Sequence, residues 1–306
     1  MTTDQWMAVT DKPVVIGVHV NENTMREPNP HIPWTPDEIA ETARACESAG
    51  ASVMHFHGRT ADGSADHSAA TYGAIIERVR AVSNLLLAPS MANVPGRSVD
   101  ERLANLAPNQ ADPTTRSDFL VIDMGCAAMD LIDAGTGHYL TDSNVFVNDT
   151  RTQIELLSRA VELGMAPYLT SFNVSWTRAI VAHARARSLA LPLVVAFILG
   201  GDEFPAAHPA TAAGLRAQLD LLPEDLPIEW IVSAYRGNVL AAAEESISRG
   251  GHVAIGAGDY HYAELGYPST PGLVEEVVAI ARRYGRETAT PEQARRILGV
   301  DVHASR

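Results

Sequence analysis

Residues 35–57, TPDEIAETARACESAGASVMHFH, read as one helix and one strand joined by a tight turn. Thr35 is an N-cap, Pro36 takes the first helical position and Glu38 stands three residues after the cap. This capping box satisfies backbone N–H groups that a helix start leaves unpaired. Gly50 sits where the helix should stop, since a left-handed C-cap suits a residue without Cβ. Ala51 to His57 then forms a short apolar run of strand character, closed by the polar pair His55 and His57.

The same unit repeats outward in both directions. Strands are expected at Val14 to Val20, Leu85 to Met91, Asp118 to Met124, Ala166 to Phe172, Pro192 to Leu199, Ile228 to Ala234 and His252 to Gly256, which with Ala51 to His57 makes eight. Segments of helical period separate them, and Ser98/Glu101, Thr150/Gln153 and Thr290/Gln293 repeat the capping signature. Alternating strands and helices imply a parallel sheet with crossover helices. Eight such units over about 270 residues predict a closed (β/α)8 TIM barrel. No linker divides the chain, so one domain is expected across residues 1–306, with its core at 14–286 and an extra C-terminal helix within 290–299. An open doubly wound sheet is the alternative, but no Gly-x-Gly-x-x-Gly follows the first strand.

Composition narrows the function classes. The 306 residues carry 23 Lys and Arg against 37 Asp and Glu, a net charge of −14, which disfavours a polyanion such as nucleic acid as partner. The longest apolar run, Leu191 to Gly201, is about half of what a membrane-spanning helix needs. No basic-then-apolar leader opens the chain, and two cysteines, Cys46 and Cys126, fit a reducing compartment without a disulfide framework. A cytoplasmic protein is therefore expected.

In a barrel, functional side chains gather just beyond the strand C-termini. His55 and His57 lie two apart on a strand and so point to one face, at the mouth. Such a pair can chelate a divalent metal, for which zinc is the natural choice, or form a hydrogen-bonded core pair. Asp259 follows the eighth strand and faces the mouth, as a metal-side carboxylate or as a turn cap. Glu22, in the polar run His19-Val20-Asn21-Glu22-Asn23-Thr24, can bind a substrate amine or orient a ligand. Ser90 can donate to an oxyanion or carboxylate, with Asn93 close behind it. No Gly-x-Ser-x-Gly surrounds Ser90, so it is not read as a nucleophile. His252 begins its strand and belongs to the opposite, stability face.

These positions, with Pro33-Trp34-Thr35-Pro36-Asp37-Glu38-Ile39-Ala40, Phe197-Ile198-Leu199-Gly200-Gly201, Gly251-His252-Val253 and Ala289-Thr290-Pro291-Glu292-Gln293-Ala294-Arg295-Arg296-Ile297-Leu298, resemble the β-keto acid cleavage enzymes, the family of 3-keto-5-aminohexanoate cleavage enzyme. The likeness runs from about Val14 to Gly299. It implies a zinc-dependent barrel that reacts a β-keto acid with acetyl-CoA to give acetoacetate and a new CoA thioester, and that assembles as a homo-oligomer, a tetramer or dimer. Carried over singly, His55 and His57 fall on the family's histidine ligands, Asp259 on its catalytic aspartate, Ser90 near its third-strand serine, Glu22 on the glutamate that contacts the substrate amine, and Cys126 near a threonine of the fourth strand.

The chain departs from the pattern at three places. Ala254 replaces the arginine of the catalytic dyad, Gly258 replaces the glutamate expected as third zinc ligand, and Pro167-Tyr168 with Thr170 stand where acidic residues often do. The third ligand then falls to Asp259 or His261, with Glu264 and His19 behind them, and Arg59 and Arg236 are the barrel-mouth arginines left to bind substrate. The implied substrate is shifted from the aminohexanoate type. Two other readings stay open: a metal-dependent hydrolase on a similar barrel, and a catalytically decayed barrel that binds a small molecule.

Overall fold

Eight parallel strands, β1 (Ile16–His19), β2 (Val53–His55), β3 (Leu86–Leu87), β4 (Phe119–Asp123), β5 (Ala166–Ser171), β6 (Leu193–Gly200), β7 (Ile228–Tyr235) and β8 (His252–Ile255), make one sheet in the order β3-β2-β1-β8-β7-β6-β5-β4. The computed structural model describes residues 11–304, apart from 23, 93–95 and 188. The two ends of the sheet meet at a seam. The Asp118 N–H donates to the Leu87 carbonyl at 3.0 Å, and the Leu87 N–H donates to the Asp118 carboxylate at 2.8 Å. Arg80 and Arg295 hold that carboxylate from outside, at 3.1 and 2.6 Å. A side chain thus completes the nearly closed barrel where a two-residue β3 offers too little backbone.

Helices lie between the strands, as the capping signals predict. In α1 (Pro36–Ala49) Thr35 and Glu38 form the reciprocal box, and Gly50 ends the helix at φ 117°. Strand side chains alternate with period two. Val18, Met54, Leu87, Leu169 and Val232 pack beneath the helices, while Val53, Leu86, Phe119, Tyr168, Val194, Ile231 and Ala254 fill the barrel. Beside Ala254 the packing is close: a Cβ on Gly17 would sit 3.1 Å from the Ala254 Cβ. His252 lies at the opposite end from the mouth, fully buried. Its Nδ1 accepts from the Val15 N–H at 2.9 Å and its Nε2 pairs with Glu229 at 3.0 Å.

Two strands end earlier than the apolar runs suggest, and both have a chemical cause. Pro89 lacks the N–H that would face β4, while the Ser90 N–H still donates to the Phe56 carbonyl at 3.0 Å on the β2 side, and past β2 the His57 N–H donates to the Asn21 side chain instead of to a strand. The C-terminal helix is also divided. The helix Pro291–Ile297 ends before Gly299, at φ 64°, and a second short helix, Val300–Ala304, follows. Ala294, Leu298 and Val300 close the base of the barrel against its interior residues. Between β4 and the helix Thr150–Glu162 the chain adds an antiparallel pair, Ala127–Ala128 with Val145–Phe146, that no strand signal announced. Among the described residues, no helix is long and apolar enough to cross a membrane.

Candidate active site

The mouth of the barrel is built outward from Asn21. This buried amide donates to the His57 carbonyl at 2.9 Å and to the Pro33 carbonyl at 3.1 Å, and accepts from the His57 N–H at 2.9 Å. It locks the segment after β1 to the segment after β2. Arg59 finishes the lock: its guanidinium donates to the carbonyls of Asn21, Glu22, Thr24 and Gly63. The loop so held carries Glu22 at φ 28°, a left-handed backbone that costs energy and persists only where its surroundings impose it.

Glu22 is thereby turned onto the histidine pair. Its Oε1 lies 3.0 Å from His55 Nε2 and its Oε2 2.9 Å from His57 Nε2, and the two ring nitrogens are 3.2 Å apart. Burial acts to raise the Glu22 carboxyl, but the facing His57 and His55 hold it well below the usual carboxylate range. The tautomer of His55 decides what this cluster is for. Its Nδ1 stands 2.6 Å from the Ala88 carbonyl, which can only accept, so Nδ1 carries a proton and a neutral His55 points a bare lone pair from Nε2 at the carboxylate. The three donor atoms converge on one point, where either a shared proton or a metal cation can bridge them. The donor set of two imidazoles and one carboxylate, with every donor atom within 4.8 Å of the others, suits zinc and fits the group that the sequence implies.

A second pair adjoins the first. His19 Nδ1 lies 2.8 Å from Asp259 Oδ2 and 3.0 Å from Oδ1, and Glu22 is within reach of both residues. Burial opposes charge on His19, but the Asp259 carboxylate overrides it and lifts the imidazole to about 8. Burial pushes Asp259 upward against the pull of His19. A third carboxylate, Asp123, ends β4 beside its register partner Thr170, whose hydroxyl donates to it. Burial pushes this carboxyl up as well.

All these groups line one cavity of about 350 Å³ at the barrel mouth. Ser90 lines it too, with its hydroxyl donating to the Met91 carbonyl at 3.0 Å. The other sequence candidates lie elsewhere. Arg59 spends its donors on loop carbonyls. Arg236 pairs with Glu203 at 2.8 Å, and its N–H donates to the Asp259 carbonyl at 2.9 Å. Cys126 is exposed, and its carbonyl accepts from the Trp176 indole. His261 belongs to neither donor group, and Glu264 binds Asn238 and Tyr260. Asn93 falls outside the described residues. At Gly258 an added Cβ would lie 2.5 Å from the Asn21 nitrogen and 2.8 Å from the His19 carbonyl oxygen, so this backbone admits no side chain there. Glu22 brings in the carboxylate from the neighbouring loop, after β1.

Among the described residues no arginine or lysine lines the cavity, while Glu22, Asp123 and Asp259 all do. One of its carboxylates, Asp123, is legible only as an acid ending an apolar strand, and half of the apolar wall, Met129, Leu131 and Phe146, comes from the excursion after β4.

Comparisons with known proteins agree with the barrel. Residues 13–300 match a family model described as beta-keto acid cleavage enzyme. The chain is 29% identical over 295 residues to a 3-keto-5-aminohexanoate cleavage enzyme of Acetoanaerobium sticklandii, covering 95% of this chain and 99% of the relative. It is 24% identical to the 3-oxoadipate:acetyl-CoA acetyltransferase of Cupriavidus necator, over 94% of this chain and 95% of that one. Among solved structures, the apo structure of ObcA superposes with a TM-score of 0.69 at 17% identity, covering 88% of this chain and 66% of that one, a likeness of fold alone.

Proposed function

Because the chain belongs to the beta-keto acid cleavage enzyme family, we propose that its barrel mouth exchanges acyl groups between a β-keto acid and acetyl-CoA, with a zinc ion held by His55, His57 and Glu22. The observation that carries this reading is the charge balance of the cavity: three carboxylates and no arginine or lysine face a substrate that is itself a carboxylate. The protonated His19 alone leaves that balance negative, and the Glu22 cluster supplies the place for a metal cation. Bound there, zinc polarises the ketone oxygen and offsets the charge of an enolate.

The remaining steps fall to the chain's own groups. Asp259, its carboxyl raised by burial, takes a proton from C2 of the keto acid, and His19 holds it in place. The C2 carbanion forms a bond to the acetyl carbonyl carbon, and the CoA thiolate leaves. That thiolate then bonds to C3, the original ketone carbon, and the bond between C2 and C3 breaks with its electrons on C2. Asp259 returns the proton to C2, so the products are acetoacetate and the acyl-CoA of the remaining chain. Ser90 stands within the cavity as a donor to a substrate oxygen, and Asp123 with Thr170 gives a second carboxyl for proton traffic.

Thr170, Phe172 and Ile198 at the mouths of β5 and β6 are not metal ligands, which favours this exchange over a hydrolase with further histidines on those strands. Incubating the zinc-loaded protein with acetyl-CoA and a panel of β-keto acids tests the reading. Acetoacetate is expected, and none from any acid would contradict it.

A further inference from the structure

The cavity has two unlike halves. Glu22, Asp259 and the histidines sit on the side of β1, β2 and β8, with Asp123 at the end of β4, whereas the remaining wall is chiefly Met129, Leu131, Phe146, Phe172, Ile198 and Phe204. This wall is one packed cluster: Phe172 stacks on Trp176 at 4.5 Å and meets Phe204 edge-on at 5.7 Å. Its polar neighbours are few. Asn144 spends its amide on the Met129 carbonyl at 3.2 Å, and Tyr235 turns an aromatic edge to Phe204.

We propose that the keto acid taken by this site carries an uncharged hydrocarbon chain on C3, laid against that wall. The inference rests on the reading of the site as a β-keto acid exchange centre, and specifies its substrate class. A second carboxylate at the far end of the chain would lie against Phe146, Phe172 and Phe204, with no arginine or lysine among the described lining residues, and leaving it desolvated is costly. An ammonium would find Glu22 already engaged at both oxygens by His55 and His57. A hydrocarbon chain instead gains from burial, about fourfold in affinity for each methylene removed from water. The apolar wall and the committed Glu22 therefore select together against a charged chain end such as that of 3-oxoadipate or 3-keto-5-aminohexanoate.

The test uses the zinc-loaded full chain with acetyl-CoA and three acids of equal backbone length: 3-oxohexanoate, 3-oxoadipate and 5-amino-3-oxohexanoate. Acetoacetate and acyl-CoA are measured for each. A kcat/KM for 3-oxohexanoate at least about tenfold above both charged acids is expected. Equal or better turnover of a charged acid would overturn the substrate class and leave the exchange reading standing. Absence of acetoacetate from all three would overturn the exchange reading, and binding then decides the wall separately. Hexanoate should raise the melting temperature where adipate at the same concentration does not, and the reverse order would overturn the proposal. In L131R, a change on the half-exposed excursion, the ratio should move toward 3-oxoadipate. An unmoved ratio would show that this wall does not touch the chain.

Discussion

His55 Nε2 faces Glu22 Oε1 at 3.0 Å, because its other ring nitrogen is committed to the Ala88 carbonyl at 2.6 Å. No motif places these two residues together. Glu22 comes from a loop strained to φ 28° and clamped by Arg59 and Asn21, so energy stored in the backbone is spent on bringing a carboxylate to an imidazole. Two imidazoles and a carboxylate that the fold brings together at these distances are the donor set of a cation site.

Asp259 and Glu22 can be told apart experimentally. Asp259→Asn leaves the two imidazoles and Glu22 in place, so zinc content should stay at the wild-type level while kcat falls by about 10²- to 10⁴-fold, the range for loss of a general base. Zinc analysis beside an acetoacetate assay checks both halves. Loss of zinc in this variant would make Asp259 a ligand instead.

The seam of the barrel hangs on one side chain. Asp118 accepts from the Leu87 N–H and pairs with Arg80 and Arg295, and it is 9% exposed. Asp118→Ala strands a backbone donor and two guanidiniums, and should cost about 2 to 4 kcal/mol in urea denaturation. A loss under about 0.5 kcal/mol, the ordinary value for a surface change, would mean that β3 and β4 close without it.

Stability should also fall with acid at the far end of the barrel. Burial pushes His252 down from 6.5 to about 4, against the pull of Glu229, while Lys12 and Arg286 act in the direction of burial. The native protein therefore binds fewer protons than the unfolded chain between these values. Its stability is full above pH 6.5 and declines as pH falls toward 4, by about 3 kcal/mol at most from this residue. Glu229, held low by His252 and Lys12, adds a loss of the same sign at lower pH. Urea midpoints at pH 7 and pH 5 should converge in His252→Gln relative to wild type; an equal decline in both would remove His252 as the cause.

The backbone of the barrel was legible because its signals are local. Apolar runs and capping boxes depend on neighbours three or four residues apart, and Thr35/Glu38 and Thr290/Gln293 stand where they were expected. His55 and His57 are local too, since period-two geometry alone puts them on one face. Glu22 is 33 positions from His55, and only the Asn21 and Arg59 lock joins their loops. The Asp123 and Thr170 contact is likewise a matter of register between β4 and β5. The excursion 127–148 has no strong period, so neither its short hairpin nor its apolar inner face was readable before folding. Arg59 was misplaced for a related reason: an arginine beside a His-x-His suggests a substrate anion, but here the nearest acceptors are the carbonyls of its own neighbouring loop.

The central claim is that Glu22 completes a zinc site with His55 and His57, and zinc titration of the apo protein beside Glu22→Gln tests it most directly. The wild type should take up about one zinc per chain. Glu22→Gln, with an unchanged far-ultraviolet spectrum, should bind at least about 100-fold more weakly. Wild-type affinity in Glu22→Gln would contradict the account and return the third ligand to another residue of the mouth.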